Sequence, residues 1–122
     1  MHSFSLHARI RSFRYALAGI GRALRTEHNT WIHGALTAAA FGAGLWLRIS
    51  AGEFAALVCV MALVWMAELM NTALEKAMDF ITLERHPQIK AVKDIAAGAV
   101  LVSALAAAIV GALIFLPKLI TL

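Results

Sequence analysis

The sequence contains a 22-residue segment without a charged side chain, from Ile95 to Leu116. At about 1.5 Å per residue, a helix of this length crosses the ~30 Å hydrocarbon layer of a membrane. Two other segments of the chain, 31–49 and 54–75, are almost as apolar, with few polar interruptions. We therefore predict an all-α membrane protein in which a single domain, residues 1–122, contains three transmembrane helices at about 31–49, 54–75 and 95–116.

The overall composition supports burial in lipid. Hydrophobic residues form 61% of the chain and charged residues 15%, whereas soluble domains are roughly 45–50% apolar and about 25% charged. Because the apolar excess is concentrated in three segments, it indicates contact with lipid and not one large core. Residues 4–26 instead mix apolar positions with five arginines, which predicts an amphipathic helix on the membrane surface.

The basic residues fall mainly on one side of the predicted spans. Nine of the eleven lysines and arginines lie before residue 27 or between residues 76 and 93, and the other two are Arg48 and Lys118. By the positive-inside rule, the N-terminus and the 76–93 connection are cytoplasmic, and the C-terminus is on the opposite side. Membrane topology thus explains the net charge of +4, and we expect no nucleic-acid partner.

Polar side chains follow one face of the second predicted span. Glu68, Asn71, Thr72, Glu75 and Asp79 are spaced i, i+3, i+4, i+7 and i+11. On an α-helix their directions fall within about 100° of one another. An ionised carboxylate at membrane depth costs on the order of 2.5–3.5 kcal/mol, so a cation or a proton must accompany these acids. Mg²⁺ prefers carboxylate oxygens, and a deep carboxylate such as Glu68 suits general-base work on a hydroxyl.

This face of α-helical residues 68, 71, 72, 75 and 79, the carboxylate face, also has a simpler interpretation. Glu75 and Asp79 could belong to a solvated extension of the helix, while Glu68 reaches the interface or pairs with a lysine. The shared face and the depth of Glu68 argue against this interpretation. At the entrance of the third span, Lys93 beside Asp94 either anchors the helix to the interface or, next to an acid-bound metal, binds a phosphate.

Residues that flank the spans complete the prediction. Glu27 directly precedes the first span, at a depth similar to that of the carboxylate face, and could complete a metal site. His28 and His33 are about 140° apart on a helix and cannot share one metal, so we place His33 at the membrane interface. The turn at 84–87 is expected to separate the second helix from the third, and Pro117 to end the third helix.

The spacing Glu-x-x-Asn-x-x-x-Glu-x-x-x-Asp at 68–79, followed by Lys93-Asp94, resembles the small prokaryotic diacylglycerol kinase family, which includes the undecaprenol kinases of Gram-positive bacteria. The resemblance covers nearly the whole chain, from 12–15 through 27–29 to 115–118. It implies homotrimers of three-helix subunits, each preceded by a surface helix, in the bacterial cytoplasmic membrane. The activity that it implies is transfer of the γ-phosphate of ATP to the hydroxyl of a membrane lipid alcohol, with Mg²⁺ as cofactor.

The resemblance also implies roles for individual residues. Glu68 would be the general base and would contact the lipid, while Glu27 and Glu75 would hold the metal ions that bridge the phosphates. Asn71 would orient the base or the metal. The positions that resemble ATP-binding residues of the family are Tyr15, Glu27, Glu75, Asp79, Glu84, Arg85, His86, Lys93 and Asp94.

A departure from the family pattern bears on the lipid substrate. Gram-negative diacylglycerol kinases carry a serine shortly after the Lys-Asp pair, where this chain has Ala97, and we expect Ala97 to contribute to the lipid site. The stretches 27–33 and 115–118 are more similar to the undecaprenol kinase branch. Undecaprenol is therefore the favoured substrate and diacylglycerol the next.

Two other functional classes remain open at this point. A deep glutamate in a small helical membrane protein also serves proton-coupled transport, and the chain could instead be a structural membrane subunit. A transporter would need neither the long acidic face nor Lys93 and Asp94 at the membrane entrance. The lipid kinase is therefore the favoured function.

Overall fold

A computed structural model of the chain describes residues 3–122, which are almost entirely helical and contain no strand. An amphipathic segment and three mainly apolar runs form the helices, and short connections separate them. This confirms the all-α class. In chain order the helices are α1 (Leu6–Thr26), α2 (His28–Trp46), α3 (Ala51–Ile81) and α4 (Pro87–Ile120).

Two of these helices have the length and apolarity needed to cross a membrane, namely α3 and α4. Both are longer than the predicted spans at 54–75 and 95–116, because polar turns extend each helix beyond its apolar part. The 19-residue α2 does not meet the same criterion among the described helices. The third span at 31–49 therefore stays a prediction.

The turn between α2 and α3 is closely specified by the sequence. Arg48 adopts a left-handed conformation with φ 54°, and the N–H of Ile49 donates to the carbonyl of Gly44 at 3.1 Å. Such a left-handed residue with a bond back to the last helical turn is a common way to end a helix. Ser50 then starts α3 in a capping box, in which its hydroxyl and the Glu53 carboxylate each accept an N–H from the other residue.

The helices α3 and α4 make the most extensive contact in the described part of the chain. They run antiparallel, since Asp79 lies 2.7 Å from Lys93 at one end and Glu53 lies 3.4 Å from Lys118 at the other. Between these ion pairs, buried apolar side chains such as Leu57 fill the interface. Large hydrophobic side chains on the outer faces of both helices stay exposed, which indicates surfaces meant for lipid or for another chain.

The connection between α3 and α4 overlaps the predicted turn at 84–87 but begins two residues earlier and ends before Pro87. The helix α3 ends at Ile81, and α4 begins at Pro87. Proline is well suited to the first position of a helix, because the N–H that it lacks would have no acceptor within the helix. The His86 ring caps this terminus, because its Nδ1 accepts the N–H of Gln88 at 3.1 Å. Five residues, 82–86, thus form the turn.

The prediction that Pro117 ends the last helix is wrong, since α4 continues through Pro117 to Ile120. A proline removes one N–H and crowds the carbonyl four residues earlier. Here that disturbance falls within the last turn of a long helix, where few further bonds depend on it. The hydroxyl of Thr121 also donates to the carbonyl of Pro117 at 3.0 Å, which supports the final turn.

Candidate active site

The predicted carboxylate face changes from buried to exposed along α3. Glu68, Asn71 and Thr72 are buried, Glu75 is partly buried, and Asp79 is exposed. The antiparallel packing of α2 and α4 against the middle of α3 covers the first three residues, whereas the last turns extend beyond that cover. The face therefore joins an enclosed carboxylate to an accessible one about 16 Å further along the helix.

Glu68 is the most enclosed acid of this face, with 3% of its surface exposed. Its Oε2 lies 3.3 Å from Nε2 of His33 on α2. A buried carboxylate without a partner would be costly, and the imidazole is the polar group that meets it. The arrangement fits a carboxylate that exchanges protons with a ligand.

The Asn71 amide lies one turn further along α3 and is only half satisfied. Its Nδ2 donates to Oε1 of Glu75 at 3.2 Å, while its Oδ1 is buried and has no hydrogen-bond partner among residues 3–122. Leaving a buried acceptor unpaired costs about 1–3 kcal/mol. Asn71 thus orients Glu75 and at the same time presents an oxygen that is available to a ligand.

Glu27 lies at the junction of α1 and α2 and contacts the C-terminal part of α3. Its backbone is extended, with φ −115° and ψ 120°, and the buried Thr30 fixes the junction by donating its hydroxyl to the carbonyl of Glu27 at 2.6 Å. Oε1 of Glu27 lies 3.6 Å from Nζ of Lys76, the residue that follows Glu75. The structure therefore brings Glu27 to the part of α3 that carries Glu75.

These carboxylates are compatible with a Mg²⁺ site that the substrate completes. No three His, Cys, Asp or Glu side chains converge into a ready metal cluster in the described chain. Mg²⁺, however, is usually held by one or two protein carboxylates together with substrate phosphates. Glu27, Glu75 and the unpaired oxygen of Asn71 are donors of that chemical kind.

Lys93 projects from the second turn of α4 toward the exposed end of the carboxylate face. Its Nζ lies 2.7 Å from Oδ1 of Asp79, and Lys90 pairs with Asp94 one turn apart. The second pair is largely solvent-accessible and the first is partly so, and such exposed pairs contribute only about 0–1 kcal/mol. An anionic ligand could therefore displace the carboxylate from Lys93 at little cost.

A cavity of about 610 Å³ lies at the connection between α3 and α4. Its walls carry both acidic and basic side chains and one imidazole. The structure thus gathers several of the predicted ATP-binding residues around one space. The predicted residues that line it are Glu84, Arg85, His86, Lys93 and Asp94.

A second cavity, of about 500 Å³, lies between α2, α3 and α4. Its walls are almost entirely aliphatic, with His33 and Thr37 as the polar lining residues. Because His33 also contacts Glu68, this apolar space ends next to the buried carboxylate.

Two exposed residues of the predicted site, one on α1 and one on α4, line neither cavity. Tyr15 on α1 is 64% exposed. Ala97 on α4 is also exposed, whereas its neighbour Ala96 is buried. Neither residue is gathered with Glu68 within one chain, and their roles stay predictions.

His33 is the residue that the sequence prediction missed. We predicted that it lies at the membrane interface, which stays a prediction, and did not foresee that its ring lies against Glu68 and beside Trp65. The signal in the sequence was the i, i+4 pair His33 and Thr37, two polar side chains on one face of an otherwise apolar helix. Polar residues at such positions commonly face a partner helix.

Comparison with known proteins shows which family the chain resembles over nearly its whole length. The sequence is 41% identical over 118 residues to the undecaprenol kinase of Bacillus subtilis, covering 97% of this chain and 96% of that protein. It is 43% identical over 112 residues to a diacylglycerol kinase of Synechocystis, covering 91% of this chain and 64% of that protein. It is also 35% identical over 85 residues to the diacylglycerol kinase of Pseudomonas aeruginosa, covering 70% and 69%.

The helical fold, the apolar spans and these relatives define the chain as a membrane lipid kinase. Residues 14–115 match the prokaryotic diacylglycerol kinase family, and the chain belongs to that family. The resemblance inferred from the 68–79 and 93–94 motifs is thereby confirmed.

Proposed function

We propose that the protein transfers the γ-phosphate of ATP to the hydroxyl of a membrane lipid alcohol, with undecaprenol favoured and diacylglycerol next. The observation that carries this proposal is the position of Glu68. His33 contacts its buried carboxylate and also lines the apolar cavity. Glu68 lies on the same helix face as Glu75 and Asp79. A hydrocarbon chain in that cavity would bring its terminal hydroxyl toward the base.

In the proposed reaction, the oxygen of the lipid hydroxyl attacks the γ-phosphorus while Glu68 accepts the hydroxyl proton. The bond between the γ-phosphorus and the bridging oxygen breaks, and ADP leaves with that electron pair. The transfer is direct and in line, without a phosphoenzyme, so positioning and charge neutralisation provide the catalysis. Glu68 also contacts the lipid headgroup in this arrangement.

The metal-binding residues are proposed to be Glu27 and Glu75. When bound there, Mg²⁺ supplies the positive charge that neutralises the phosphate oxygens. The bond from Asn71 to Glu75 holds that carboxylate in place, and Lys76 keeps Glu27 close to it. Lys76 would have to release Glu27 in part when a cation binds.

The nucleotide is proposed to bind at the exposed end of the carboxylate face. Lys93 would exchange its partner Asp79 for a phosphate oxygen, a change that its accessibility permits. The cavity at the α3–α4 connection supplies further charged groups. The full proposed set is Tyr15, Glu27, Glu75, Asp79, Glu84, Arg85, His86, Lys93 and Asp94.

The proposed membrane arrangement has α2, α3 and α4 as spans of one domain, residues 1–122, and α1 as a surface helix. The N-terminus and the 76–93 connection would face the cytoplasm of a bacterial cell, where ATP is present. Subunits are proposed to form a homotrimer in which active sites are shared. The exposed apolar faces of α3 and α4 and the surface positions of Tyr15 and Ala97 support a site completed by another subunit.

Phosphorylation of the two lipids in parallel tests this function. Purified protein in detergent micelles receives radiolabelled ATP, Mg²⁺ and either undecaprenol or diacylglycerol. We expect label in both phosphorylated lipids, with undecaprenol severalfold faster. A proton-coupled transporter or a structural subunit would label neither lipid, and that outcome would contradict the proposal.

A further inference from the structure

The carboxylate of Glu68 is buried and has few polar neighbours within the described residues. Its side chain is 4% exposed, and His33 is the side chain that forms an ion-pair contact with it. In residues 3–122 no other hydrogen bond or ion pair reaches this carboxylate. Any proton that Glu68 takes up must therefore leave through His33 or through the substrate site.

The imidazole of His33 is held in place by its own helix and by α3. The ring packs edge-on against Trp65, with centroids 6.5 Å apart and planes at 61°. Nε1 of Trp65 donates to Oγ1 of Thr37 at 2.9 Å, and that hydroxyl donates to the carbonyl of His33 at 2.6 Å. These contacts hold Trp65 against the ring, and Nε2 of His33 lies on the side of Glu68.

We propose that His33 is a proton-relay residue that acts through Glu68. The inference rests on the proposed function, in which each transfer leaves the lipid hydroxyl proton on the Glu68 carboxylate. In the next step the O–H bond of protonated Glu68 breaks and an N–H bond forms at Nε2 of neutral His33. The imidazole, whose side chain is 18% exposed and which is predicted to lie at the membrane interface, then releases the proton to water there, and both groups return to their starting state.

The chemistry of the pair suits this role. Imidazole is the side chain that changes its charge between pH 5 and 8, so it can both accept and release a proton under working conditions. Because His33 acts through Glu68 and not on the substrate, it is a positioning residue. Its function does not require contact with the phosphate.

The other charged groups near this part of the fold have different partners. On α3, Glu75 accepts from Asn71, and Lys76 pairs with Glu27 at the start of α2. On α4, the charged residues of the first turns include Lys93, which pairs with Asp79. Within residues 3–122, none of these groups forms an ion pair with His33. The pH response of the relay therefore belongs to the pair of His33 and Glu68.

The test compares His33→Gln, His33→Ala and His7→Gln with the wild-type protein in the lipid phosphorylation assay. Glutamine keeps a polar side chain next to Glu68 but cannot carry a proton, and His7 is an exposed histidine on α1. We expect His33→Gln to lower kcat by about 10- to 100-fold, short of the loss expected for the base itself. KM for ATP stays within about twofold, and His7→Gln matches the wild type.

Two further readouts distinguish a relay from a structural role. We expect the pH dependence of kcat to differ between the wild type and His33→Gln, because only the wild type has a second proton acceptor next to Glu68. Added imidazole restores part of the turnover of His33→Ala, because a free ring can take the place of the missing one. Gel filtration and helix content establish that each variant is folded.

The outcomes also separate this inference from the proposed function. If the wild type is active and His33→Gln has the same kcat and pH profile, the relay is overturned and the proposed kinase activity still holds. A lower kcat with an unchanged pH profile and no imidazole rescue reduces His33 to a structural contact and also overturns the relay. Wild-type protein that phosphorylates neither lipid overturns the proposed function itself.

Discussion

Oδ1 of Asp79 lies 2.7 Å from Nζ of Lys93, and this ion pair joins the last turns of α3 to the first turns of α4. Both side chains are partly exposed, at 49% and 37% respectively. The pair is therefore easily opened, and it holds a cation at the accessible end of the carboxylate face. In the proposed function, the ammonium group of Lys93 leaves Asp79 and binds a phosphate of ATP.

Replacing Lys93 tests that role. We expect Lys93→Met to raise KM for ATP and to lower kcat, because the variant removes the cation that would bind a phosphate oxygen while keeping the aliphatic stem. The effect on folding should stay below about 1 kcal/mol, as is typical of exposed ion pairs. Steady-state kinetics at varied ATP concentration give both constants.

Lys118→Met is the matched control for this variant. It removes the lysine of the ion pair with Glu53 at the opposite end of α3 and α4, far from the proposed nucleotide site. KM for ATP should stay at the wild-type value. If Lys93→Met and Lys118→Met behave alike, Lys93 only anchors the helix.

The proposed metal ligands make a second prediction. Glu75→Gln and Glu27→Gln should each shift the Mg²⁺ dependence of activity to higher concentration, because each removes a charged oxygen ligand. Titration of Mg²⁺ at saturating ATP measures the shift. Glu53→Gln, which removes a carboxylate at the other end of α3, should leave the titration unchanged. Overlapping curves for all variants would refute the assignment of both ligands.

The third prediction concerns lipid choice. Ala97→Ser restores the hydroxyl that Gram-negative diacylglycerol kinases carry, and a diacylglycerol headgroup offers oxygens that can accept its bond. One net hydrogen bond contributes about 0.5–1.5 kcal/mol, so relative activity on diacylglycerol should rise only severalfold. Undecaprenol phosphorylation should persist. Ala99→Ser, at another exposed position of α4, should not change the ratio of the two activities, and an equal shift in both variants would exclude a specific contact at Ala97.

A fourth prediction concerns the start of α3. Ser50→Ala removes the hydroxyl that accepts the N–H of Glu53, and loss of such a cap costs about 1 kcal/mol of stability. Ser12→Ala is the control, since its hydroxyl only donates to a carbonyl within α1 and alanine favours helix. Unfolding in detergent titrations measures both. Equal stability of Ser50→Ala and the wild type would show that the capping box is not needed.

Much of the fold follows from the sequence for physical reasons. The uncharged run at 95–116 must form a helix in lipid. Pro87, which we predicted to belong to the preceding turn, is instead the first residue of α4, a position that proline fits. The carboxylate face of α3 follows from helical periodicity alone, since residues 68, 75 and 79 share a direction wherever the helix lies. What these features have in common is that they are local.

The remaining features depend on how the helices pack. Periodicity places His33 on a face of α2, but the register of α2 against α3 decides that it meets Glu68. The unpaired oxygen of Asn71 likewise follows from burial by neighbouring helices, which no local pattern reveals. Pro117 was misjudged because the cost of proline depends on how many turns follow it, and here less than one does.

The central claim is that Glu68 is the general base of lipid phosphorylation. Its most direct test is the rate of transfer from radiolabelled ATP to undecaprenol by Glu68→Gln, with Glu53→Gln as the control carboxylate on the same helix. The account predicts that Glu68→Gln loses a factor of about 10²–10⁴ in turnover while ATP affinity and helix content stay near wild type, and that Glu53→Gln keeps wild-type turnover. A Glu68→Gln variant that retains more than about a tenth of wild-type turnover would contradict it.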